Sequence, residues 1–141
     1  MSDTPQDFSQ MLNQHRGGWN EAMGLRFLRA SADEVVAELD VARVHQQPYG
    51  IVHGGVHCSV VETLGSIGGM LWLGGRDPDG KVVGVNNSTD FYRAVRDGAM
   101  TSTATPIHQG RSQQVWLIET YADGDDRLVA RGQLRLQNLY P

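Results

Sequence analysis

The sequence predicts an α+β domain in which one long helix is wrapped by a largely antiparallel, many-stranded sheet. Three observations predict it. Residues 54–75 form the one long apolar stretch, and it holds a single carboxylate, Glu62. After the turn signal Arg76-Asp77-Pro78-Asp79-Gly80-Lys81, four strand-like stretches follow at 82–95, 98–108, 111–122 and 127–138. The breaks between them, at Asp97-Gly98, Gln109-Gly110 and Asp123-Gly124-Asp125-Asp126, are short and of the kind that closes hairpins. One helix for a multi-stranded sheet to cover is the consequence.

Taken in order, Thr4-Pro5-Gln6-Asp7 reads as an N-cap, a proline at the first helical position and an acid in the first turn. Phe8, Met11, Leu12 and His15 then share one face of a short helix that stops near Gly17-Gly18. Residues 1–19 are therefore expected to be a helical N-terminal segment, and residues 20–141 a single domain. Strands are expected at 24–30 and 33–42. In the second, Val35, Ala37, Leu39 and Val41 alternate with Glu34, Val36, Glu38 and Asp40, the period of a strand with one buried face. The final stretch alternates in the same way, with Leu128, Ala130, Leu134 and Leu136 on one side.

At 100° per residue, Val56, Val60, Thr63, Leu64, Ile67 and Leu71 of the long helix fall within about a third of the circumference. That face is expected to meet the sheet. Gly55, Cys58, Ser59, Glu62, Ser66 and Gly69 gather on another side, where Glu62 and Ser66 are neighbours at i and i+4. Gly65, Gly68 and Gly69 each cost about 1 kcal/mol of helix propensity against alanine, so some other backbone is expected to come close. A second copy of the helix at an oligomer interface is the expected neighbour.

Composition narrows the function. The 141 residues carry a net charge of −4, which argues against a nucleic-acid footprint. No apolar run approaches the ~20 residues that span a bilayer, so no membrane partner is expected. The start, Met1 to Gln10, has neither a basic nor an apolar signal region. Cys58 is the one cysteine, which excludes an internal disulfide and fits a reducing compartment. The expectation is a cytoplasmic protein.

The chemistry concentrates in residues 49–66. A lone acid in an otherwise nearly uncharged helix is expected to be partly desolvated and suits a general base or a nucleophile. His53-Gly54-Gly55 stands where that helix begins. Glycines there leave the first backbone N–H groups uncovered at the positive end of the dipole, able to polarise a carbonyl or hold an oxyanion. Gly54 and Glu62 are eight residues apart, about 12 Å along a helix. If they act on one carbon, they come from two antiparallel copies, with two sites per dimer.

These residues resemble the hotdog-fold acyl-CoA thioesterases, in particular the phenylacetate-pathway and 4-hydroxybenzoyl-CoA thioesterase-like group. The resemblance covers about residues 20–139. It is carried by His53-Gly54-Gly55 with an acid nine residues after the histidine, by Gln47 six residues before it, by Ser66 one turn after the acid, and by the Gly110-Arg111 pair. It implies hydrolysis of an acyl-CoA to free acid and CoA without a cofactor, by a dimer or a pair of dimers. It further implies that the Gly54 N–H polarises the thioester carbonyl and that His53 helps to orient the loop. Glu62 would act as base or nucleophile, and Gln47 and Ser66 would position the reactants. Gly84 stands where some relatives with aspartate in place of Glu62 carry a catalytic serine, which puts this chain nearer the glutamate-bearing branch. Gly55, Arg111, Arg93 and Arg96 are the expected substrate-binding positions, the arginines for the CoA phosphates.

Two other readings stay open. A hydratase or dehydratase of the same fold would carry a His-Phe-Pro segment and an Asp-to-His helix spacing, and neither is found. A non-catalytic acyl-CoA-binding module would tolerate loss of the acid, which is present. No metal is expected: His53 and His57 are at i, i+4, but no HExxH or paired-cysteine spacing occurs.

Overall fold

In the computed structural model, which describes residues 4–141, two short helices precede the sheet: α1 (Ser9–Gln14) and α2 (Gly18–Met23). Then come β1 (Arg26–Ala30), β2 (Val35–Asp40), a single 3-10 turn at Arg43–His45, and the long helix α3 (Gly54–Gly74). Four strands complete the chain: β3 (Lys81–Phe91), β4 (Ala99–Gln109), β5 (Gln113–Ala122) and β6 (Leu128–Leu139). All pair antiparallel in one sheet of order β1-β2-β4-β5-β6-β3, and α3 packs across it. The α+β arrangement with one wrapped helix is as the sequence predicts.

The N-terminus departs in detail. Helix α1 starts at Ser9 rather than at Pro5, preceded by its N-cap Phe8 and by Asp7. Asp7 Oδ1 accepts from the Ser9 N–H at 2.9 Å and from the Ala30 N–H at 3.0 Å, tying the helix to β1. Those two donors hold the Asp7 carboxyl below its ordinary range. Residues 1–3 of the expected N-terminal segment lie outside the described residues. Gly18 does not end the helical region but opens α2, which crosses the expected boundary at residues 19/20 and stops at Gly24 in the left-handed region, φ 75°.

The Asp97-Gly98 break does not close a hairpin between β3 and β4. β3 pairs with β6 instead, and β4 with β2. The reason lies in residues 92–98, which run beside the loop that leads into α3. The Val52 N–H donates to the Val95 carbonyl at 2.8 Å, and the Val95 side chain is buried. The breaks at Gln109-Gly110 and Asp123-Gly124 do join neighbouring strands, β4 to β5 and β5 to β6.

Helix α3 is turned relative to the predicted face. Val56, Val60 and Leu64 are buried as expected, but so are Val61, Gly65, Gly68, Gly69, Trp72 and Leu73, whereas Thr63, Ile67 and Leu71 sit half-buried on a flank. The three glycines explain the turn and correct their reading as a helix-helix contact. A methyl group on Gly68 would lie 2.6 Å from the Trp116 ring, and one on Gly65 would lie 2.6 Å from Leu134 Cδ2. A methyl on Gly69 would overlap Leu136. The close neighbour is the chain's own sheet. Gln114, fully buried, locks it in place: its Nε2 donates to the Gly69 carbonyl at 3.2 Å, and its Oε1 accepts from Trp116 Nε1 at 2.9 Å.

By length and composition alone α3 is apolar enough to cross a bilayer, with a mean hydropathy of 1.2 over 18 residues, but 56% of that stretch is buried inside the fold. The β3 edge is covered on one side only, by β6, among the described residues. Every β3 side chain is exposed or half-buried, including Val83, Val85 and Phe91.

Candidate active site

Glu62 projects from the middle of α3 toward β3. In the single chain it is exposed, not desolvated as the sequence suggested. Its Oε2 accepts from Asn87 Nδ2 at 3.1 Å. The same amide nitrogen donates to the Cys58 carbonyl at 2.9 Å, and Asn87 Oδ1 accepts from Thr89 Oγ1 at 2.7 Å. Asn87 is therefore held from both ends and offers the carboxylate a fixed donor.

Gly84 lies on the other side of the same carboxylate. A methyl group there would overlap Glu62 Oε1, so the glutamate occupies the space that a side chain at position 84 would need. Gly84 and Asn87 are three apart, and in a regular strand they would face opposite ways. A β-bulge between Gly84 and Asn86 inserts Val85 without a partner on β6 and turns both positions toward α3. Asn87 escaped the sequence reading. The available signal was the polar pair Asn86-Asn87 inside a strand, where asparagine is disfavoured.

Around Glu62 opens a trough of ≈ 530 Å³ between α3 and the start of β3, lined by Ser66, Ile67, Met70, Lys81 and Val82. Ser66 thus lines the same trough as Glu62. The helix start forms a second cleft of ≈ 350 Å³, lined by Gln47, Gly54, His57, Phe91 and Arg93. The chain therefore presents two separate clefts, with Glu62 and Ser66 in one and Gln47 and Gly54 in the other.

At the helix start, His53 is the N-cap. Its Nδ1 accepts from the Gly55 N–H at 2.8 Å, so the ring spends its lone pair on the second helical residue. This folds the ring over Gly55, where a methyl group would lie 2.8 Å from Nδ1. The Gly54 N–H has no acceptor among the described residues. Phe91 lies against it, at 2.7 Å from where a Gly54 methyl would be. Gln47 sits in a tight loop in which the Gly50 N–H donates to its carbonyl at 2.9 Å and the Tyr49 N–H donates to its Oε1. His57, one turn into α3, is buried; its Nδ1 has no hydrogen-bond partner, and burial pushes its pKa down.

The three arginines part company. Arg96 braces the loop of Gln47: its Nη1 donates to the Tyr49 carbonyl at 3.1 Å, and its carbonyl accepts from Gln46 Nε2 at 2.8 Å. Arg93 lines the Gly54 cleft, with Asp125 at 3.7 Å. Arg111 is exposed at the turn between β4 and β5, where its carbonyl accepts from Tyr140 Oη at 2.6 Å. That turn lies at the Leu139 end of β6, whereas Arg93 docks at Val129. The ten-residue span along β6 separates them by about 33 Å, so one chain does not bring them together.

Comparison with known proteins points to one family. Residues 49–129 match the thioesterase superfamily. The chain is similar to AziG of S. sahachiroi, whose crystal structure superposes with a TM-score of 0.83 at 49% identity, covering 89% of this chain and 98% of that one. It is 36% identical over 102 residues to the proofreading thioesterase EntH of Cronobacter turicensis, covering 72% of each chain. It is also 32% identical over 112 residues to the 1,4-dihydroxy-2-naphthoyl-CoA hydrolase of Escherichia coli, covering 79% of each.

Proposed function

This chain belongs to the thioesterase superfamily and is a thioester hydrolase of the hotdog fold, and from that premise we propose that it cleaves acyl-CoA at a site shared by two copies of the chain. The observation that carries the reading is the division of the candidate residues. Glu62 and Ser66 line one cleft, and Gln47 and the unpartnered Gly54 N–H line another, on a helix that separates them by about 12 Å. An antiparallel pairing of two α3 helices sets Gly54 of one copy opposite Glu62 of the other. The open β3 edge, with Val83 and Val85 exposed, suits the same two-fold contact. The E. coli relative, by its name, acts on a CoA thioester, which favours CoA as the leaving group.

In this reading the thioester carbonyl oxygen accepts from the Gly54 N–H at the positive end of the helix, where charge developing on oxygen is stabilised. Glu62 takes a proton from a water as its oxygen adds to the carbonyl carbon. The tetrahedral adduct then collapses, the carbon–sulfur bond breaks, and the thiolate of CoA leaves and is protonated. Asn87 fixes the carboxylate throughout, and Gln47 and Ser66 position the reactants. Arg93, beside Gly54, is the arginine best placed for a CoA phosphate. The setting is the cytoplasm, with Cys58 a free thiol.

Thiol release from a panel of acyl-CoAs tests the hydrolysis, and saturable binding without turnover would make this a binding module instead. Subunit mixing tests the shared site. Glu62→Gln and Gly54→Pro are each inactive alone on this reading, the second because proline has no N–H. Their heterodimer collects both lesions in one site and leaves the other intact, so activity returns. Heterodimers without activity would overturn the shared geometry.

A further inference from the structure

The trough beside Glu62 has a directed polarity that bears on the acyl group, and the inference rests on the hydrolase reading above. Two rails run away from the carboxylate. Along α3, the wall passes from Glu62 through Ser66 and Ile67 to Met70; along β3, it passes from Gly84 through Val82 to Lys81. The middle is apolar, and the far end is not. Lys81 is the one lysine in the chain, and it makes no ion pair among the described residues. Asn20, from α2, closes the flank at the Glu62 end, beside Thr63, where its Oδ1 accepts from Thr63 Oγ1 at 2.8 Å. The charged group at the end away from Glu62 is therefore the Lys81 ammonium alone, with no ion-pair partner among the described residues.

A plain alkyl chain gains nothing from that ammonium, whereas a terminal carboxylate would pair with it. Lys81 stands three residues from Gly84 along the strand, about 10 Å, a span matched by an acyl chain of about eight carbons with its thioester at Glu62. We infer that the trough takes medium-length acyl groups that end in a carboxylate, with Lys81 pairing the carboxylate.

The test compares suberyl-CoA with octanoyl-CoA, two eight-carbon substrates that differ at the far end. The unmodified enzyme should favour suberyl-CoA in kcat/KM. Lys81→Met, which keeps length and removes charge, should lower the suberyl-to-octanoyl ratio about tenfold, the pairing being partly open to solvent. Lys81→Arg should restore most of it. A ratio that Lys81→Met leaves unmoved, or an unmodified enzyme that prefers octanoyl-CoA, overturns this inference while leaving the hydrolase reading in place. An enzyme that hydrolyses other acyl-CoAs but neither of these does the same. Release of thiol from no acyl-CoA at all would overturn the parent reading, and this one with it.

Discussion

Asn87 donates from one amide nitrogen to both Glu62 Oε2, at 3.1 Å, and the Cys58 carbonyl, at 2.9 Å, so the side chain that orients the acid is itself pinned to the helix that carries the acid. Strand and helix thus share one fixed point at the site. Glu62→Gln should keep the shape and lose the base, lowering kcat by roughly the 10²–10⁴-fold typical of such groups. Asn87→Ala should lower kcat about tenfold, the scale of one lost hydrogen bond to a charged group, with a smaller change in KM. Steady-state kinetics on both variants checks the pair, and an Asn87→Ala enzyme with normal kcat would remove the positioning role.

Gly84 and Glu62 compete for one volume. Gly84→Ser should push the carboxylate off its Asn87 donor and lower kcat rather than supply a nucleophile. Glu62→Asp with Gly84→Ser should recover part of the loss, because the shorter acid frees the space. A double variant no better than Gly84→Ser alone would break the steric link.

Gly68→Ala separates two accounts of the glycines by sign. Helix propensity alone would make alanine stabilising by about 1 kcal/mol. The Trp116 ring, 2.6 Å from the added methyl, makes it destabilising by about 1–3 kcal/mol through overpacking. Trp116 is fully buried and anchored to Gln114, so it has little room to give. Chemical denaturation of the variant decides.

His57 should make the fold acid-sensitive. Burial holds its pKa below the ordinary 6.5, so the unfolded chain binds a proton that the native chain refuses. Stability contributed at this position is unaffected above pH 6.5 and falls as pH drops below it, down to the native pKa. His57→Phe should flatten that part of the melting-temperature profile, since a phenyl ring against Phe91 carries no proton. An unchanged slope would place the acid sensitivity elsewhere.

The Glu62 and His53-Gly54-Gly55 pattern was legible because everything that defines it is local. Glu62 stands alone in an apolar helix, the glycines mark that helix's start, and 1.5 Å per residue is enough to set the two about 12 Å apart. The alternation of β2 and β6 was readable for the same reason. Tertiary structure alone decided the rest. Asn87 and Gly84 face Glu62 only because β3 pairs with β6, some 45–55 residues further along, and bulges at Val85 to do so. The Asp97-Gly98 turn looked like a hairpin because turn chemistry is local, yet the chain first pairs Val95, itself buried, with Val52 before β4 begins. The glycines of α3 announced a close approach without saying of what, since an absent side chain carries no information about its neighbour. Trp116, Leu134 and Leu136 supply that neighbour from the far end of the chain, and only the folded sheet brings them there.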